Sequence, residues 1–256
     1  GGGGGGSEGG GEGTSQRAPS HLVQSTIVCD DALGLRVGVS LNPSQVGGGA
    51  EVGADGITGA GGKADGAQAD PEKLAEAAVA AAIEYMKEQA GPNAPNYAQK
   101  MVILDYFKVG PPKELLVIGP PGTGKSTLFQ ACARGVIAMG GVPVMVAEYN
   151  PQVHALNKGL DALTRGRQAV YAKTRAGLFS LPAHGPLDVG ELVAELSPNA
   201  ESAIKRGTHL LEDEYALDPP GRMDACNGIC KKVRNDPREW GGLSNLKLGD
   251  PFQGDP

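Results

Sequence analysis

At 256 residues the chain is long enough for one or two domains with a real core, and no apolar run approaches the ~18 residues of a membrane-spanning helix. Its net charge of -6 is unevenly spread. Residues 1–70 hold eight acids and three bases (-5), and residues 71–256 hold 21 acids and 20 bases (-1), so the globular part is nearly neutral and neither supports nor excludes a basic nucleic-acid face.

In chain order, the first stretch is compositionally distinct. Of the 41 glycines, 21 fall within residues 1–66. The opening "GGGGGGSEGGGEGT" and the later "GGGAEVGADGITGAGGKADGAQAD" cannot bury enough apolar surface to offset the entropy of ordering. Residues 1–69 are therefore expected to be a mostly disordered segment, with "STIVCDDALGLRVGVSL" as a hairpin or the remnant of an upstream domain. Residues 70–256 are expected to form the folded domain. "DPEKLAEAAVAAAIEYMKEQAG" has an Asp cap, Pro at the first helical position, acids in the first turn and Gly91 as a stop. "NYAQKMVILDYFKVG" reads as a second helix and "ELLVIG" as an apolar strand. "GKSTLFQACARGVIAMGG" is a helix closed by glycines, "VPVMVAE" a strand, and "PQVHALNKGLDALTRG" a helix. Shorter helical pieces follow over residues 171–207. "THLLEDE" is a strand, "PGRMDACNGICKKVRND" a helix, and "LSNLKLGD" a last, less apolar strand. Alternating strands and helices imply an α/β fold with a parallel sheet covered on both faces, similar to one RecA-like lobe.

"GPPGTGKS" fits the pattern Gly, four residues, Gly-Lys-Ser, between a strand and a helix. Gly119, Gly122 and Gly124 let the loop, which also holds Pro120, Pro121 and Thr123, turn tightly, so that its backbone N–H groups, absent only at the two prolines, surround an anion. The helix that starts at Lys125 aims its positive end at the same place. In this pattern Lys125 reaches the β- and γ-phosphates of ATP, Ser126 ligates Mg²⁺, and Thr127 completes the loop. Such a site also needs a carboxylate at the end of a neighbouring strand and a group that activates water. "THLLEDEYALDP" supplies both: Asp213 on the metal side and Glu214 as general base. Alone, Glu212-Asp213-Glu214 reads as a solvated charge run, and the phosphate loop upstream changes that reading. The four cysteines, Cys29, Cys132, Cys226 and Cys230, are too scattered for a disulfide framework, which suits a reducing compartment. Cys226 and Cys230 lie on one predicted helix face as packed thiols rather than a zinc site.

"LSNLKLGDPFQ" ends a strand in Gly-Asp-x-x-Gln, the third signature of superfamily-1 helicases. From about Tyr97 to Pro256 the chain resembles the first motor lobe of the petite-integration-frequency (Pif) DNA helicases. The likeness rests on "NYAQKMVILDYF", "VMVAEYNPQVHALNKG", "AIKRGTHLLEDEYAL" and "VRNDPREWGGLSNLKLGDPFQ". It implies that Gln99 reads adenine, that Gln253 senses the γ-phosphate, and that the segment after the second strand contacts DNA. It also implies Mg²⁺ and ATP as cofactors and single-stranded DNA or DNA junctions as partners. A second RecA-like lobe beyond Pro256, roles in repair, recombination or telomere maintenance, and a nuclear or mitochondrial location follow from the same resemblance. On that basis the chain looks like part of a longer protein. Two departures stand out: Pro120-Pro121 replaces small residues, and Glu212 replaces an apolar residue before Asp-Glu. A charge at that strand end is costly unless paired, and it is expected to repel nucleotide. Two other readings share the phosphate loop and the acidic pair: another P-loop ATPase such as an AAA+ remodeller, and an inactive helicase relic.

Overall fold

The computed structural model describes residues 24–28, 36–38, 70–164, 172–214 and 220–250. Strands β1 (Gln24–Val28) and β2 (Arg36–Gly38), in the region that reads as a hairpin or a domain remnant, pair antiparallel. The rest of residues 1–69 lies outside the described residues.

Helix α1 (Pro71–Ala90) starts where the side chain of Asp70 accepts the Glu72 N–H, and stops at Gly91, whose N–H returns to the Lys87 carbonyl. Helix α2 (Tyr97–Phe107) opens on a reciprocal cap between Asn96 and Gln99. Then come β3 (Glu114–Ile118), α3 (Lys125–Ala138), β4 (Pro143–Ala147) and α4 (Asn150–Thr164). The region read as short helical pieces holds β5 (Lys173–Thr174), α5 (Arg175–Phe179), α6 (Val189–Ala194) and α7 (Pro198–Arg206). A two-residue strand leaves no periodicity to read, and β5 exists because it pairs with the end of β4. Strand β6 (His209–Asp213), helix α8 (Pro220–Arg234), an aromatic-Gly-Gly 3₁₀ turn (Glu239–Gly242) and β7 (Ser244–Gly249) complete the chain order.

The five strands β3-β7-β6-β4-β5 run parallel, in that order. Beside β3, β1 continues the sheet in parallel and β2 closes it antiparallel. Thus β7, read from the sequence as a less apolar strand, is central. Side-chain alternation divides the interior in two. Leu115, Val117, Met145, Leu211, Leu246 and Leu248 face α1, α2 and α3. Val144, Val146 and Leu210 face the layer of α5 to α8, where Cys226 and Cys230 are both buried. Each fully buried Leu or Val contributes about 1.5–3 kcal/mol of transfer free energy, and these two layers fix the plane of the sheet.

Polar groups in the central strands are matched across neighbours on the α8 side. Lys247 pairs with Glu114 and lies 4.7 Å from the centre of the Trp240 ring. Asn245 donates to Glu212 at 2.7 Å. Gly135 of α3 allows close packing, because a Cβ there would stand 2.5 Å from the Phe107 ring and 2.8 Å from the Ala78 carbonyl. The C-terminal half of α3 thereby packs closely on Ala78 of α1 and Phe107 of α2.

Candidate functional site

The loop between β3 and α3 sits at the C-terminal edge of the parallel strands, where open α/β sheets bind ligands. Buried Gly119 donates its N–H to the Gly249 carbonyl at 3.3 Å, which ties the loop's start to the end of β7. Gly122 and Gly124 have φ of 81° and 77°, the left-handed region in which glycine alone is unstrained. The Thr123 hydroxyl donates to the Pro120 carbonyl at 2.9 Å. The Lys125 ammonium donates to the carbonyls of Gly119 and Pro120 at 2.6 and 2.9 Å. Pro120, Pro121, Gly122 and Ser126 are exposed, and Lys125 and Thr127 are half-buried.

Gln99 is 9% exposed and joins this loop to α2. Its Nε2 donates to the Thr123 carbonyl at 3.0 Å, and its Oε1 accepts the Asn96 N–H at 3.0 Å. A Cβ on Gly124 would lie 2.8 Å from Gln99 Nε2. These two bonds use one N–H and one lone pair of the amide. Asn96, a residue not singled out from the sequence, accepts the Gln99 N–H at 2.9 Å; its Asn-x-x-Gln spacing is the capping signature that marks it.

Asp213 ends β6 on the face shared with α3. It is 6% exposed, and its carboxyl is pushed up to about 6, first by burial and then by the charge of Glu214. The Glu214 N–H, donated to Asp213 Oδ1 at 3.2 Å, and the charge of Lys125 pull the other way. Lys125 opens α3 after the phosphate loop and Asp213 ends β6, both at the C-terminal edge of the sheet. Glu214 follows with φ of 57°, a turn away from the strand.

The expectation for Glu212 is corrected. Alternation along β6 sends Leu211 and Asp213 to the α3 face and Leu210 and Glu212 to the opposite one. Glu212 is fully buried there, paired with Arg175 (Nε to Oε2, 3.4 Å) and bonded to Asn245. Its charge is thus paired within the α8-side layer and does not face the phosphate loop. Arg175 carries no sequence signal beyond being a lone cation in an otherwise apolar "RAGLF". Gln253 lies outside the described residues; β7 ends at Gly249, and the next residue, Asp250, is 3% exposed.

A cavity of about 330 Å³ lies at the other end of the sheet, lined by Tyr106, His209, Ser244 and Pro111 among others, and none of the predicted site residues lines it. Among the described residues no three His, Cys, Asp or Glu side chains converge as a metal cage. No described helix is long and apolar enough to cross a membrane. The donor set, comprising backbone N–H groups, an ammonium and a hydroxyl at the loop and a carboxylate at the end of β6 on the same sheet edge, fits a nucleotide phosphate with a hard cation.

No protein-family model matches the sequence, and no curated protein matches it. Among solved structures the chain is similar to Pif1 helicases. One is Pif1 helicase from Candida albicans, 22% identical over 61% of this chain and 32% of that one, with a TM-score of 0.45. Bacteroides sp Pif1 in complex with ADP-AlF4 is 19% identical over 62% and 33%, with a TM-score of 0.45. Bacteroides Pif1 bound to ssDNA is 21% identical over 55% and 29%, with a TM-score of 0.41. The chain spans about a third of the length of those proteins.

Proposed function

We propose that this chain is the nucleotide-binding lobe of an ATP-dependent DNA helicase of the Pif type. The observation that carries the reading is placement: the phosphate loop follows β3 and Asp213 ends β6 at the same C-terminal edge of the parallel sheet, with β7 between the two strands. Phosphoryl transfer to water needs little covalent help from the protein, so the residues' work is positioning and charge.

The N–H groups of Gly122, Thr123, Gly124 and Lys125 hold the phosphates, since Pro120 and Pro121 have none and that of Gly119 is bonded to the Gly249 carbonyl. Lys125 exchanges its two carbonyl partners for β- and γ-phosphate oxygens. Ser126 and Asp213 would hold Mg²⁺, which when bound would supply charge neutralisation at the phosphoryl oxygens. Glu214 takes the proton from the attacking water. Gln99 keeps the loop against α2 and offers its remaining valences to adenine, while Gln253 reads the γ-phosphate. Single-stranded DNA or a DNA junction is the second ligand. A second RecA-like lobe contributes the arginine finger, a group worth about 10³–10⁵ in rate.

The test is an ATPase assay on the chain alone and joined to a second lobe after Pro256. The chain alone is expected to hydrolyse ATP barely above background, and the joined form to show turnover stimulated by single-stranded DNA. Robust DNA-stimulated turnover by the 256 residues alone would contradict this reading.

A further inference from the structure

Arg175 is 1% exposed, among the most deeply buried large side chains described. It stands at the start of α5, directly after β5, at the C-terminal edge of the sheet. It meets two carboxylates from two other strands. NH1 donates to Glu148 Oε2 at 3.0 Å, just past the end of β4. Nε lies 3.4 Å from Oε2 of Glu212, the penultimate residue of β6. Asn245 of the central strand β7 holds the other Glu212 oxygen at 2.7 Å. The cluster thus joins β4, β5, β6 and β7.

Glu212 is bonded to Asp213 along the chain and projects to the opposite face. Fixing the Glu212 side chain on one face therefore fixes the backbone that presents Asp213 on the other. Burying such a cluster costs more desolvation than apolar side chains of the same volume would. What it adds is direction: a planar guanidinium with two carboxylate partners sets the spacing of the strand ends that carry them.

We infer that Arg175 is a positioning residue for the metal side of the nucleotide site, acting through Glu212 on Asp213. This rests on the proposed nucleotide-binding function. Outer partners of metal ligands typically change metal affinity about 10–100-fold when removed, and Arg175 belongs at the lower end because it acts through the backbone.

The experiment is calorimetric titration of the 256-residue chain with a slowly hydrolysed ATP analogue, at a series of Mg²⁺ concentrations and in EDTA, together with thermal melting. Arg175→Met is expected to raise the Mg²⁺ midpoint about tenfold and to leave the affinity in EDTA within about twofold. Because that variant strands a buried carboxylate and can fail to fold, the apolar triple variant Arg175→Met, Glu212→Leu, Asn245→Val provides a second arm. It refills the layer and is expected to melt at or above the parent's temperature, with the Mg²⁺ midpoint still raised. Glu148, 20% exposed, can be hydrated in that variant. A triple variant with the parent's Mg²⁺ midpoint overturns the inference, as does a loss of affinity that is equal with and without Mg²⁺. If the parent binds nucleotide under neither condition, the functional reading falls and the inference with it. If the parent binds with a Mg²⁺ requirement and the triple variant matches it, the inference alone falls.

Discussion

Replacing Gly124 by alanine tests the loop's geometry in two separable ways. At φ of 77° a Cβ carries the left-handed penalty of about 1–2 kcal/mol. The same Cβ would stand 2.8 Å from Gln99 Nε2, so the amide must leave its bond to the Thr123 carbonyl, worth about 1 kcal/mol. Alanine also stiffens the unfolded chain, which returns about 0.4–1 kcal/mol. The net loss is about 2 kcal/mol. Gly122 is the internal control: its φ is 81°, but a Cβ added there would meet nothing within 4 Å. Gly122→Ala should therefore cost about 1 kcal/mol less than Gly124→Ala. Urea denaturation of the parent and both variants, repeated in a Gln99→Ala background, measures the difference. In that background the excess cost at Gly124 should vanish. The reasoning fails if Gly124→Ala is no worse than Gly122→Ala, or if the excess survives removal of the Gln99 side chain.

Other perturbations reach different parts of the account. Asp213→Asn should weaken Mg²⁺-dependent nucleotide binding about tenfold or more and spare binding in EDTA; equal loss in both would remove Asp213 from the metal side. Glu214→Gln should preserve nucleotide binding and abolish turnover in a chain that carries both lobes, and unchanged turnover would deny it the role of base. His209, edge-on to Tyr106 at 5.5 Å between ring centres, is lowered to about 4 by burial. Between about pH 6.5 and 4 the unfolded chain binds this proton and the folded chain does not. The contribution is complete above about pH 6.5 and lost as pH falls to about 4, by up to about 3 kcal/mol. His209→Gln should flatten that limb of the stability profile, and an unchanged slope would refute the assignment. From composition, limited proteolysis should cut first in the Gly-rich stretch before residue 70 and leave a core that starts near Asp70; protection of that stretch would count against the domain boundary.

The elements that follow local rules are legible in the sequence. Asp70, Pro71 and Gly91 mark α1 at both ends, and each does so in the structure. The phosphate loop can be read because its glycines, Lys125 and the flanking strand and helix are consecutive. Asp213 is legible as an acid at the end of an apolar strand. Glu212 is not, because its meaning depends on alternation and on an arginine from another strand crossover: it and Asp213 are adjacent in sequence and face opposite layers. The central place of β7 is hidden for a similar reason. Asn245 and Lys247 lower its apolar content, and only the sheet order shows that Glu212 and Glu114 match them. Strand β5 is two residues long and is defined by its neighbour rather than by any pattern of its own.

The central claim is that residues 119–127, with Lys125 at their centre, bind the phosphates of Mg·ATP. Calorimetric titration of the 256-residue chain with Mg·ATP, parent against Lys125→Ala, tests it most directly. Removing a charge-assisted contact of about 1.5–3 kcal/mol should cost about 10–100-fold in affinity, with the fold unchanged by circular dichroism. Equal affinity for the two proteins would contradict the account.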